Sequence, residues 1–151
     1  LLSMAQADAA ITTWDSKYYH DIVRPETVIR TRAAEFGQTG DKTWKSLIPT
    51  PSFPAYTSGH STFSGASARM LANFLGTDQV SFSSQSPDLV NWPKQLTGVT
   101  RSYTSLWAAA EEAGMSRIYG GIHWQEDNTE GLRVGRELAD FVFKRAFRTN
   151  Q

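Results

Sequence analysis

The chain has 151 residues, 15 basic against 15 acidic, with 40% hydrophobic and 12% aromatic side chains and no cysteine. That is one domain with ample material for a packed core. Balanced charge argues against a broad footprint for nucleic acid or an anionic membrane surface. No run of about 18 apolar residues is present to span a bilayer, and disulfides, thiolate metal sites and a cysteine nucleophile are excluded. The first residue is Leu1, with neither Met nor a charged-then-apolar leader, so we expect a mature product or a fragment. The lack of cysteine fits an exported protein, secreted or periplasmic.

Residues 2–22 are expected to be a helix, with Ala7, Ile11, Trp14 and Tyr18 at three- or four-residue spacing along one face. Pro25 should end it near Val23, because the residue before proline is pushed out of helical space. Turns dominate from Gly37 to Pro54, which holds Pro49, Pro51 and Pro54. Thr57 or Ser58 can cap a second helix with Phe63, Ala66, Met70 and Phe74 on its apolar side, and Gly76 closes it. Residues 77–101 are rich in Ser, Gln and Pro and are expected to be loop. A third helix should run from about Tyr103 to Tyr119 and stop at Gly120-Gly121. The last, from about Trp124 to Phe147, places Leu132, Gly135, Leu138, Ala139, Val142, Phe143 and Ala146 at helical spacing. No segment alternates with period two, so the class is all-α. Loops of about 25 residues are long for a small bundle. They lead us to expect functional groups at loop–helix junctions, and another segment completing the core.

The chemistry-bearing residues are few. Of three histidines, His20, His60 and His123, His20 fits no motif and is taken as structural. Ser58-Gly59-His60 stands where a loop enters a helix, and exposed N–H groups with a hydroxyl suit an anion. An ordinary N-cap with a solvated His60 explains the same residues. Ser116-Arg117 and His123 flank the double glycine, which can redirect the chain so that both reach one cavity. Asp127, four residues after His123, can fix its tautomer; a surface His–Asp pair is the plain alternative. Lys17 and Arg24 lie seven apart, near the end of the first helix, a placement that by itself indicates only a solvated face.

Taken together, Lys17-x6-Arg24-Pro25, Ser58-Gly59-His60 and Ser116-Arg117-x5-His123-x3-Asp127 resemble the three-part signature of the vanadium-dependent haloperoxidases and related acid phosphatases. These form the type 2 phosphatidic acid phosphatase superfamily. Ten residues stand in order at the right local spacings, and the resemblance covers about residues 10 to 148. One departure is Thr57, where the family usually has proline. Phe53-Pro54-Ala55-Tyr56 and Gly121-Ile122-His123-Trp124 look closer to the haloperoxidases, of the chloroperoxidase-like bacterial type, than to the phosphatases.

The resemblance implies a helical bundle that holds vanadate, with phosphate or sulfate able to take the same place. Lys17, Arg24 and Arg117 would bind its equatorial oxygens, with Ser58 and the Gly59 N–H adding hydrogen bonds. His123 would be the axial metal ligand, Asp127 its orienting carboxylate, and His60 the general acid–base. Trp14 and Phe53 would form a halide pocket. Hydrogen peroxide, a halide (bromide, extending to chloride) and a small organic acceptor would be the substrates. Two rivals share the site: a phosphatase working through a phosphohistidine at His123, and a non-catalytic oxyanion-binding fragment. Family members place further helices upstream. Residues 1–151 are therefore expected to be one domain, the C-terminal catalytic part of a larger bundle, completed by an upstream segment or a second copy.

Overall fold

The computed structural model describes residues 1–85 and 99–146. Helix α1 spans Leu2–His20 and ends on Asp21 in the left-handed region, whose N–H bonds back to the Lys17 carbonyl. Arg24 is extended, as a residue before proline should be. Pro25 then opens a helical run not anticipated from the sequence: α2 (Pro25–Thr27), a π-helical stretch Val28–Arg32 and a 3-10 turn Ala33–Phe36. Proline suits a first helical turn, where its missing N–H costs nothing.

Residues 37–58 carry no regular element up to α3 (Gly59–Leu75). They are pinned by backbone bonds, Ile48 N–H to Gly120 O, Ala55 N–H to Ile22 O and Ser58 N–H to Asp127 O, and by Thr50 and Ser46 donating to Glu26. Ser58 caps α3 and Gly76, at φ 75°, closes it. Within the expected loop, and reaching Tyr103 where the third helix was expected to begin, lies a small antiparallel ribbon, β1 (Phe82–Gln85) with β2 (Thr100–Tyr103), in register Phe82 to Tyr103. Residues 86–98 of that stretch lie outside the described residues. A four-residue strand is too short for periodicity to reveal. Helix α4 follows (Leu106–Tyr119), capped by the Ser105 hydroxyl. It turns at Gly121, φ 74°, into α5 (Gln125–Arg145). The expected end of that helix at Phe147 also lies outside the described residues.

Helix α3 is the hub, packed against α5, α4 and α1. Its approach to α5 needs glycine: a Cβ at Gly131 would stand 2.8 Å from the Ser58 carbonyl, and one at Gly135 would collide with the Thr62 carbonyl. The core proper is Ala5, Met70, Ala139 and Val142.

Two expected faces are corrected. Helix α1 buries Ala5, Ala9, Thr13 and Lys17, whereas Ile11 and Tyr18 are 70% and 65% exposed. Both sets have helical spacing; the small residues win because α1 lies close against α3. Phe74, expected inside, is 73% exposed, since the last turn of α3 runs past the end of that core.

Candidate active site

Six places along the chain converge on one cavity of about 260 Å³. Helix α1 supplies Trp14 and Lys17, its exit Arg24, the following coil Phe53, the start of α3 Gly59 and His60, the last turn of α4 Arg117, and the next turn His123. Phe63, Ser64, Pro51 and Ile122 complete the wall. Ser58 and Asp127 do not line it; both are buried behind it. His123 precedes α5 rather than sitting on it, so its partnership with Asp127 is made across the helix entrance.

His123 Nδ1 lies 2.9 Å from Asp127 Oδ2, and the same carboxylate oxygen accepts the Trp124 N–H at 2.9 Å. A carboxylate only accepts, so Nδ1 holds the ring proton and Nε2 keeps its lone pair. Arg24 Nη1 donates to that Nε2 at 2.9 Å. Burial pushes the His123 pKa below the ordinary imidazole value, with Asp127 opposing and Arg24 reinforcing the shift. The ring is therefore a neutral, oriented nitrogen ligand or nucleophile.

The three cations are not equivalent. Lys17 is fully buried and spends its three protons on the carbonyls of Pro54, Ala55 and Thr57, at 3.0, 2.9 and 2.6 Å. In this geometry it offers the cavity charge and straps down the coil that leads to Ser58. Arg24 donates Nε to Phe53 O, Nη1 to Ile122 O and Nη2 to Pro54 O. Arg117 is different: among the described residues its buried Nε–H has no partner, and no carboxylate pairs with it. Burial lowers the pKa of all three, Lys17 to about 8 and Arg24 to about 10. Mutual repulsion adds to that, Arg24 acting on Lys17 and Arg117 on Arg24.

This donor set fits an oxyanion. Cations crowded around a neutral imidazole need negative charge, and the orphaned Arg117 N–H needs an acceptor. Vanadate or phosphate meets both needs, with Arg117, Arg24 and the Gly59 end of α3 to hold its oxygens. No cluster of three or more His, Asp or Glu suited to a bare metal cation occurs among the described residues.

His60 and Trp14 are the exposed members of the lining, whereas Lys17, Arg24 and His123 are buried. Partial burial, then Arg117 and His123, hold the His60 pKa below the ordinary value. An aromatic wall lies alongside: Trp14 is 5.5 Å from Phe53 and 6.4 Å from Phe63 between ring centroids. Lys17 and Arg24 sit 5.3 and 5.1 Å from the Phe53 ring centroid. His20 instead stacks edge-on with Tyr19 and Tyr56.

Sequence reading missed Phe63, and it missed Ser61 and Asn128 behind Ser58. Their signal was adjacency alone: Ser61 lies one turn past the cap, and Asn128 follows Asp127.

A family model, the VCPO second helical-bundle domain, matches residues 1–151. The vanadium chloroperoxidase of Curvularia inaequalis is 27% identical over 166 residues, covering 84% of this chain and 27% of that protein. The structure of a bacterial vanadium-dependent iodoperoxidase is 40% identical with a TM-score of 0.79, covering 95% of this chain and 32% of that one. A bacterial vanadium-dependent chloroperoxidase shares the fold, with a TM-score of 0.77 at 19% identity over 95% of this chain and 34% of that one. The chain thus spans about a third or less of each relative's length. With the whole of its sequence matched and its helices laid out alike, the chain belongs to the VCPO second helical-bundle domain family.

Proposed function

We propose that this domain carries the oxyanion site of a vanadate-dependent haloperoxidase. The reaction is halide plus hydrogen peroxide plus a proton giving hypohalous acid and water, and the hypohalous acid then halogenates a small organic acceptor. The carrying observation is the buried, Asp127-oriented His123 facing Lys17, Arg24 and an unpartnered Arg117. Vanadate supplies a Lewis acid that activates peroxide without changing its own oxidation state.

The chain's residues divide the remaining work. Arg117 would donate to oxygens of the bound anion, and Arg24 would give up His123 Nε2 to join it. Lys17 contributes its charge, and Gly59 an N–H at the start of α3. His123 Nε2 would be the nitrogen that holds the bound oxyanion, kept in its tautomer by Asp127. His60, neutral near pH 7, takes a proton from hydrogen peroxide and returns it to the leaving oxygen. Trp14 and Phe53 exclude water from the halide. Iodide is the first halide to test, because the 40%-identical relative is an iodoperoxidase; bromide and chloride are progressively harder to oxidise. The exposed Ile11 and Tyr18 face of α1 supports a further segment or a second copy covering that side.

Halogenation of a phenolic acceptor, with and without orthovanadate, beside hydrolysis of an aryl phosphate is the test. Vanadate-dependent halogenation is expected. Vanadate-independent phosphate hydrolysis without halogenation replaces this reading with the phosphatase. Tight phosphate binding with neither activity leaves a binding domain.

A further inference from the structure

Between α1 and Pro25 the chain leaves regular structure at residues 21–24, and Arg24 reaches the cavity from this exit. Three successive carbonyls fix its course. Ile22 O accepts the Ala55 N–H at 2.8 Å, and Arg24 O accepts the Val28 N–H at 3.2 Å. Between them, Val23 O accepts the indole N–H of Trp124 at 2.9 Å, from a side chain 101 residues further on.

That bond lies where two parts of the site meet. Trp124 follows His123 directly, and its main-chain N–H donates at 2.9 Å to the Asp127 oxygen that holds His123 Nδ1. Arg24, next to Val23, donates from Nη1 to Ile122 O and to His123 Nε2, both at 2.9 Å. Residues 23–24 and 122–124 are thus laced together by three bonds, two from Arg24 and one from Trp124. Indole and guanidinium N–H groups only donate and carbonyls only accept, so the Trp124–Val23 and Arg24–Ile122 bonds each have a single direction. When an oxyanion takes His123 Nε2, the Arg24–His123 bond is lost. The indole bond then keeps the Arg24 main chain beside His123. The Trp124 ring itself lines a separate apolar groove with Ile22, Val23, Ile29 and Phe36 and is not part of the cavity wall.

We propose that Trp124 is a positioning residue of the oxyanion site: its indole N–H, held by the Val23 carbonyl, sets the spacing at which Arg24 and His123 grip one anion. The inference rests on the reading of the cavity as an oxyanion site.

The test is orthovanadate binding to the full chain by equilibrium dialysis, with inorganic phosphate as a parallel series and urea unfolding to establish that each variant is folded. Trp124→Phe keeps an apolar ring and removes the N–H. It is expected to weaken both anions about tenfold, the low end for losing an outer partner of a ligand set. Arg24→Lys keeps the charge without the planar fork. In that background Trp124→Phe should change affinity less than about twofold, because the two act as a unit. A general loss of packing would instead give the same factor in both backgrounds. Linkage supplies a readout in the unaltered chain: a bond that favours the anion must be favoured by it to the same degree. Hydrogen exchange of the Trp124 indole N–H should therefore slow about tenfold at saturating orthovanadate. The exposed Trp107 indole, bonded to Glu111, should not change. Should Trp124→Phe not fold, this exchange measurement decides alone. Unaltered affinity in the folded variant, an equal factor in the Arg24→Lys background, or unchanged Trp124 exchange overturns the positioning role. Failure of the unaltered chain to bind either anion overturns the oxyanion reading instead.

Discussion

Arg24 Nη1 donates to His123 Nε2 at 2.9 Å, on the ring nitrogen opposite the one that Asp127 holds. The imidazole is gripped at both ends, and in the proposed function an oxyanion would replace the Arg24 end alone. Asp127→Asn replaces the acceptor-only carboxylate that fixes the proton on Nδ1 with a neutral amide that can also donate. It should weaken orthovanadate binding by about 10–100-fold, the usual effect of losing such a partner. His123→Ala should abolish tight retention. Equilibrium dialysis reads both, and an Asp127→Asn variant with unaltered affinity would refute the orienting role.

His60 is expected to govern turnover rather than binding. His60→Ala should hold orthovanadate within a few-fold of the unaltered chain while halogenation slows by about 10²–10⁴-fold. Since burial, Arg117 and His123 lower its pKa, the neutral base persists to lower pH than a free imidazole. The acid limb of kcat/KM should therefore fall below 6.5, the ordinary histidine value. An acid limb above that value would be inconsistent with His60 as the base.

Lys17 sets the alkaline side. Its pKa is about 8 in the fold against 10.5 ordinarily. A basic group with a depressed folded value costs stability while it is charged. Without anion, stability should therefore rise as pH climbs from about 8 toward 10.5. Oxyanion affinity should move the other way, falling as the ammonium is lost above about 8. Urea unfolding and phosphate titration across that range check both signs, and parallel trends would contradict the placement of Lys17.

Two cation removals should separate strap from clamp. Lys17→Met strands three buried carbonyls and should cost about 2–3 kcal/mol of stability. Arg117→Met breaks no hydrogen bond at Nε and removes a half-buried charge that has no carboxylate partner among the described residues. Its stability should stay within about 1 kcal/mol of the unaltered chain or rise. Both should lose orthovanadate, Arg117→Met the more severely. Equal destabilisation by the two would show that Arg117 has a structural partner.

Gly135→Ala should loosen the whole bundle. Its Cβ would strike the Thr62 carbonyl and stand 2.7 Å from the Ala66 nitrogen. Helix α3 would have to move, at a cost of about 3 kcal/mol, the upper end for overpacking. The shift would also carry Ser58-Gly59-His60 away from His123, so both melting temperature and oxyanion affinity should drop. A variant as stable as the parent would show that the two helices can separate freely.

The four long helices, a cap for the second at Thr57 or Ser58, and stops at Gly76 and Gly120-Gly121 were legible in the sequence, because these follow from local backbone preferences. The sequence also marked the chemistry-bearing residues, since a spaced motif survives without knowledge of packing. Tertiary structure decided what those residues do with their hydrogen bonds. That Lys17 spends its protons on three carbonyls, that Arg117 keeps a buried N–H unspent, and that Ser58 turns toward Ser61 depend on neighbours 37 to 40 residues away for Lys17 and 67 away for the Ser61–Asn128 pair. It likewise chose the buried face of α1. Ala5, Ala9 and Thr13 share the helical period with Ile11 and Tyr18, and only the close approach of α3 decides in favour of the smaller set.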